Sequence, residues 1–208
     1  PKVKDKYVNC GYQEEPVMDG ACSTLFPRMY SKRPDHISAY KEWSDFKGTP
    51  VVVNRCGRTE TVMKPTMAEN LRFFFRYQVN FMYWRYFMWN FSGRQNDIQG
   101  NGEIQNGNWI TGIRFIDNHL VGDQSNLPSD MKNNKGRNVY YMLPLLLGLL
   151  GLFYQAFAGE KGIQGFWVTF LLFFMTGLAI VVYLNQTPYQ PRERDYAYAG
   201  SFYAFSIW

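Results

Sequence analysis

The chain has 208 residues, a formal net charge of +5 and an aromatic share of 18%. Its mean hydropathy of -0.32 is that of an ordinary soluble domain, and its apolar content excludes an intrinsically disordered chain. The three cysteines, Cys10, Cys22 and Cys56, are too few for a closed disulfide framework, and no CxxC pair indicates a zinc site. Free buried thiols are favoured, with a single Cys10–Cys22 bridge as the alternative.

Charge divides the chain into two regions. Residues 139–208 contain three basic and three acidic residues, so the whole net charge of +5 belongs to residues 1–138. We therefore expect an extramembrane domain over 1–138 and a membrane region over 139–208. The chain starts at Pro1 and stops at Trp208 within an apolar run, so it is expected to be an internal piece of a longer protein, truncated at Trp208.

The first 65 residues predict an irregular α+β arrangement. A helix is expected over Asp35–Phe46, since Pro34 precedes it and Gly48 follows it. A β-hairpin is expected from the segments 49–54 and 59–63, with its turn at Cys56 and Gly57.

A long aromatic helix is predicted over about 67–91. Thr66 followed by Glu69 fits a capping box, which marks a helix start. From Phe73 to Phe91, 11 of 19 residues are aromatic. Its polar residues fall on two stripes of a helical wheel, and its arginines argue against crossing a bilayer. We expect it at the membrane interface or packed under the membrane helices, with a buried helix of a soluble core as a close alternative.

Residues 93–138 are rich in asparagine and glycine, which favour turns. Trp109 and its apolar neighbours indicate an ordered segment. Asp117, His119 and Asp123 could meet around a divalent ion on spacing alone, but an isolated histidine is more often structural. We therefore expect no cofactor and assign no metal ligand.

Two charge-free stretches predict a transmembrane helical hairpin. Residues 139–158 and about 164–186 are each long enough to cross a hydrocarbon core of about 30 Å. The short connector AGEKG makes the two helices antiparallel neighbours, and a third helix begins at Tyr196. The expected fold class is thus a mainly α membrane protein with an irregular α+β domain before the hairpin.

The strongest polar motif is PRERDY at 191–196, at the predicted water boundary. Arg192 and Arg194 could bind a phosphate bidentately. The alternative is structural: a basic flank that anchors a helix end, or arginines paired with carboxylates such as Glu193, Asp195 or Asp97. Residue types and spacing favour phosphate binding and a structural role about equally.

Several runs resemble one known family: NLRFFFRYQVNFMYWRYFMWNFSGRQNDIQGNG at 70–102, NLPSDMKNNKGRN at 126–138 and YLNQTPYQPRERDYAYAGSFYAFSIW at 183–208. On them the chain is identified as a member of the domain-of-unknown-function 2723 family of Bacteroidota membrane proteins. That family is similar to animal transmembrane protein 260 and related to protein O-mannosyltransferases.

The resemblance implies part of an integral-membrane GT-C-like glycosyltransferase, which moves sugar from a polyprenyl-phosphate donor to an extracytoplasmic protein or glycan acceptor. Arg192 and Arg194 would bind the donor phosphate, and Asn96, Asp97 and Trp109 would lie on the acceptor side. The catalytic base would lie upstream of Pro1, so no catalytic residue is assigned and enzyme activity stays open.

The expected location is multi-pass in a bacterial inner (cytoplasmic) membrane, with the polar domain periplasmic, although the basic flanks point to the opposite orientation. Membrane lipid is an expected partner and nucleic acid is not. The alternative function is a non-enzymatic membrane scaffold or envelope-assembly protein.

Overall fold

The structure, a computed structural model, describes residues 23–55 and 58–208, together with Gly20 and two short strands, Lys2–Val3 (β1) and Lys6–Tyr7 (β2). All three cysteines lie outside the described residues, so the predicted free thiols and the alternative disulfide lie outside them too. The predicted hairpin turn at Cys56 and Gly57 also lies outside the described residues.

The predicted first helix and β-hairpin are present. Helix α1 (Pro34–Ser44) has a proline in its first turn, where a backbone N–H has no intrahelical acceptor. It ends at Asp45, which has a left-handed conformation. Strands β3 (Thr49–Arg55) and β4 (Arg58–Lys64) pair antiparallel over their whole length.

The predicted long helix over 67–91 is confirmed. Three consecutive segments form it: α2 (Met67–Phe73), a π-helical segment (Phe74–Trp84) and α3 (Arg85–Phe91). The Thr66 hydroxyl accepts from the backbone N–H of Glu69, and the Glu69 carboxylate accepts from that of Thr66, so the capping box is formed in both directions.

The π-helical segment was not expected. Within it the backbone hydrogen bonds close over five residues, as in the bond from the N–H of Arg85 to the carbonyl of Asn80. The spacing of 100° per residue of an ordinary α-helix therefore does not describe this segment. Gln78 and Arg85, which the wheel puts on a separate polar stripe, are both buried.

A short ladder joins the end of this helix to the segment that precedes the apolar helices. Strands β5 (Gly93–Arg94) and β6 (Asn138–Val139) pair antiparallel, and Arg94 also bridges to Trp109. Between them lie the short helices α4 (Arg114–Val121) and α5 (Ser129–Lys132).

The apolar part of the chain forms α6 (Leu143–Phe157), α7 (Gly159–Thr176) and α8 (Leu178–Leu184). Among the described residues, one helix is long and apolar enough to cross a membrane, the continuous stretch Gly159–Leu184, and only 17% of its most apolar window is buried.

The predicted transmembrane hairpin, and with it the multi-pass fold class, is wrong. Helix α6 has 15 residues instead of the expected 20, a length of about 22 Å that falls short of the hydrocarbon core. Tyr141 and Met142 both have positive φ angles, 53° and 58°, so the helix begins after them. The described residues form a mixed α and β structure with one candidate span.

The third predicted helix is present and short. A 3-10 turn (Asp195–Tyr198) leads into α9 (Ala199–Phe205), which packs against α7. The indole N–H of Trp208 donates to the side-chain oxygen of Gln155 on α6, at 2.6 Å.

The aromatic helix forms the centre of the core. Its side chains pack against α1 on one side and against α8, α9 and the 3-10 turn on the other. Phe87 and Phe91 contact Phe205 with ring centroids 4.9 and 4.7 Å apart. Most of its aromatic residues are therefore explained by burial among other aromatic residues, whereas Phe75 and Trp84 are exposed.

Candidate functional site

The RERD loop, residues 192–195, contacts the aromatic helix through its central carboxylate. An oxygen of Glu193 lies 2.8 Å from a terminal guanidinium nitrogen of Arg85, whose side chain is only 4% exposed. The Tyr86 hydroxyl donates a short hydrogen bond to the same oxygen and accepts one from the backbone N–H of Arg194 at 3.1 Å. This ion pair joins residues 108 apart in sequence.

The Arg85 guanidinium binds three segments of the chain: its own helix at Phe81, the loop at Gly107 and the RERD loop at Glu193. It donates to the carbonyl of Phe81 at 2.9 Å and to that of Gly107 at 2.7 Å. Its guanidinium also lies 4.8 Å or less from the ring centroids of three aromatic residues: Phe81, Tyr86 and Trp89. A buried charge needs such partners, because leaving it unpaired costs several kcal/mol, on the order of 3–5.

Burial raises the pKa of Tyr86 above its usual range, although the nearby Arg85 cation opposes that shift. The phenol is therefore protonated at neutral pH and can act as the donor to Glu193. Glu193, with a side chain 16% exposed, has its carboxylate occupied by Arg85 and Tyr86.

The two predicted phosphate-binding arginines have different surroundings. Arg192 is exposed, with its guanidinium 5.6 Å from the ring of Tyr196. Arg194 is half-buried, donates to the Tyr196 hydroxyl at 3.4 Å, and has a buried Nε without a partner. Among the described residues no carboxylate lies within ion-pair distance of either arginine.

The cavity beside this loop is small. It lies between Arg85, Glu193 and the segment Gln99–Asn101, and its volume of about 10 Å³ is that of a single water molecule. Gln99, which lines it, donates to the carbonyl of Gln190 at 2.6 Å. The cavity has no room for a phosphate group.

The predicted acceptor-side residues do not line this cavity. Asn96 is buried and holds its own loop together, donating to the carbonyl of Gln105 at 2.9 Å and accepting from the N–H of Gly107 at 2.8 Å. Asp97 is exposed and accepts from Asn134 at 2.8 Å. Trp109 lines a different, open hollow beside α4.

The three residues weighed as metal ligands are engaged separately. Asp117 accepts from Thr111 and from the N–H of Gly112, and Asp123 accepts from Ser125. His119 lies on the open hollow beside α4. Within the described part of the chain there is no group of three or more histidine, cysteine or acidic side chains that could hold a metal ion.

Sequence reasoning missed the role of Arg85. Its charge within a run of aromatic residues was the available signal, because a charged side chain surrounded by apolar ones is rarely buried without a partner. The structural alternative predicted from the sequence pairs the arginines of the RERD motif with carboxylates, whereas the structure pairs Glu193 of that motif with Arg85.

The second candidate feature is an exposed apolar surface on α6, α7 and α8, here called the helical apolar surface. It is formed by large apolar side chains with at least 40% of their area exposed: Leu143, Leu146, Leu147, Leu150, Phe153, Phe157, Trp167, Val168, Leu171, Leu172, Met175 and Val182. So many exposed large apolar side chains on neighbouring helices mark a contact with lipid or with another protein.

Comparison with known proteins corrects the resemblance found in the sequence. Residues 2–75 match the model of a family of unknown function, DUF8416. This is a different family from the 2723 family, so the predicted membership is wrong, and the glycosyltransferase architecture that it implied loses its support. No curated protein and no solved structure matches the chain. Over residues 2–75 the chain is similar to the DUF8416 family, and that description assigns no activity.

Proposed function

We propose that this chain is a non-enzymatic, membrane-bound scaffold, held in the bilayer by the helical apolar surface. The observation that carries the proposal is the exposure of that surface along Gly159–Leu184, a helix long enough to cross the hydrocarbon core. A soluble core helix of this length would bury most of its apolar side chains.

A structural role for the RERD loop supports a scaffold over an enzyme. Glu193 is committed to Arg85 and Tyr86, and the cavity beside the loop accommodates one water molecule. Through these bonds the loop fixes the segment after α8 against the aromatic helix. A fixed contact of this kind supports a structural role. Phosphate binding by Arg192 and Arg194 stays a prediction.

Membrane attachment is tested by expressing the full chain in bacteria and extracting the membranes with alkaline carbonate and then with detergent. We expect the chain to resist carbonate and to dissolve in detergent. Replacing Leu171 and Leu172, both exposed near the middle of the span, by arginine should release it, because each arginine costs about 2.5–3.5 kcal/mol at mid-bilayer.

The control variant is Gln164→Arg, which adds one positive charge on the same helix near its polar start, and it is compared with each single arginine variant as well as with the double one. It should stay in the membrane. Carbonate extraction of the unmodified chain, or equal retention of the double arginine variant, would show that the helical apolar surface does not anchor the protein. A periplasmic reporter fused at Asn133 tests the predicted location of the polar region outside an inner membrane.

A further inference from the structure

A second apolar surface lies on α4, outside the helical apolar surface. Phe115 is 87% exposed, and Ile113 and Leu120 are also exposed. Phe115 and Leu120 border an open hollow of about 620 Å³ beside α4, together with Trp109, Ile116 and His119. We name these residues the α4 apolar face. A phenylalanine side chain gains about 1.5–3 kcal/mol on leaving water, so this exposure is unfavourable unless the face is covered.

The α4 apolar face cannot turn inward, because the opposite side of the helix is fixed. Val121 and Asp117 are buried there. The Asp117 carboxylate accepts from the N–H and hydroxyl of Thr111, at 2.7 and 2.8 Å, and from the N–H of Gly112 at 2.8 Å. These bonds tie the start of α4 to the preceding turn and direct Phe115 outward.

The α4 apolar face adjoins the start of α6. Gly112, at the turn before α4, packs against Val139 and Tyr141, and a Cβ atom at Gly112 would lie 2.9 Å from the Tyr141 ring. Tyr141 is itself exposed, as is Leu143 at the first position of α6. The two apolar surfaces are therefore adjacent at the N-terminal end of α6. A membrane or partner protein that covers one surface is positioned to cover the other.

The charges around this junction favour a lipid surface with anionic headgroups. Three exposed cations lie in the segment from α4 to the start of α6, Arg114, Lys132 and Lys135, and Arg137 in that segment is half-buried. Of the three carboxylates in the same segment, Asp117 is buried and bonded, which leaves Asp123 and Asp130 exposed. Each basic residue near an anionic membrane contributes about 1 kcal/mol of attraction.

We propose that α4 is an interfacial membrane contact, which lies on the bilayer surface and inserts Phe115 among the acyl chains beneath anionic headgroups. An apolar helix face with basic flanks and a neighbouring exposed tyrosine is the arrangement that binds at a membrane interface. This inference rests on the proposed membrane attachment, since the position of the bilayer surface relative to α4 is inferred from where α6 begins.

The test uses the full chain with its three cysteines replaced by serine, reconstituted in vesicles of phosphatidylcholine and phosphatidylglycerol. A nitroxide is attached at one new cysteine at a time: Phe115→Cys on α4, Leu150→Cys on α6, or Lys41→Cys on α1. Collision with oxygen, which concentrates in lipid, is compared with collision with a water-soluble nickel complex. We expect lipid contact for the labels at 115 and 150, and water contact for the label at 41.

The outcomes separate the two proposals. A label at 115 that collides with nickel as readily as the label at 41, while the label at 150 is in lipid, overturns the interfacial role of α4 and leaves membrane attachment intact. Water contact at 150 overturns both. Dipolar broadening between labels at 115 would show that a second copy of the chain covers the face instead of lipid, which also overturns the proposal.

Discussion

Two carboxylates, the buried Glu69 and the partly buried Glu193, each join segments that are far apart in the chain. Glu69 accepts from the N–H groups of Lys47 and Gly48, at 2.6 and 2.9 Å, in addition to the capping bonds from Thr66. It thereby fixes the approach to β3 against the start of the aromatic helix. At the residue scale, the fold depends on hydrogen bonds to charged oxygen atoms, which are stronger than those to neutral ones.

Glu69 makes stability depend on pH. Burial raises the pKa of this carboxyl, but the bonds from Gly48, Lys47 and Thr66 outweigh burial and lower the pKa to about 2. Because the folded-state pKa lies below the unfolded value of about 4.3, the stabilisation is complete above about pH 4.3 and is lost as the pH falls through about 2.

We therefore expect Glu69→Gln to lower the free energy of unfolding by about 2 kcal/mol at pH 7 and by less at pH 3. Thermal unfolding in detergent, followed by near-ultraviolet circular dichroism at both pH values, measures the difference. The exposed Glu42→Gln is the matched control. A deficit for Glu69→Gln that stays constant between pH 7 and pH 3 would contradict this prediction.

At the element scale, the short β5–β6 ladder determines how the aromatic helix joins α6. Gly93 has a φ of 154°, and a Cβ atom there would lie 2.7 Å from the carbonyl oxygen of Asn138 and 2.9 Å from that of Ile110. Three backbone segments thus meet at a position that only glycine fits.

Gly93→Ala should lower stability more than Gly122→Ala does. Both positions have positive φ, but nothing lies within 4 Å of a Cβ atom at Gly122. The Gly122 variant should show only backbone strain, about 1–2 kcal/mol, and the Gly93 variant should add the cost of displacing backbone. Melting temperatures in the same detergent measure both, and equal losses would mean that crowding at Gly93 is relieved at no cost.

At the scale of the whole molecule, the Arg85–Glu193 pair holds the segment after α8 against the aromatic helix. Breaking a buried pair by removing one partner leaves the other charge uncompensated, at about 3–5 kcal/mol. Glu193→Gln should therefore release the RERD loop, and trypsin should cleave after Arg192 or Arg194 at least tenfold faster.

The matched control is Asp195→Asn, which removes the same charge two residues away, where no hydrogen bond or ion pair of the carboxylate is found among the described residues. It should leave cleavage unchanged. If both variants are cut at the rate of the unmodified chain, the pair is not what holds the loop.

Sequence alone determined the local elements: α1, the β3–β4 hairpin, the capping box and the limits of the aromatic helix. Turn residues, proline positions and caps act over a few neighbours, and the chain carries those signals directly. Sequence also indicated the apolar character of 143–184, although the positive φ of Tyr141 and Met142 shortened α6 in a way that composition did not indicate.

Only the tertiary structure decided where these elements and their charges lie. Packing buries Gln78 and Arg85 in the core, and Arg85 pairs with Glu193 across 108 residues of chain. Such a pairing has no local signal, because the attraction that offsets the desolvation of the two charges exists only when distant segments bring them together. The structural contact between Arg85 and Glu193 therefore depends on the packing of distant segments and could not be predicted from either segment alone.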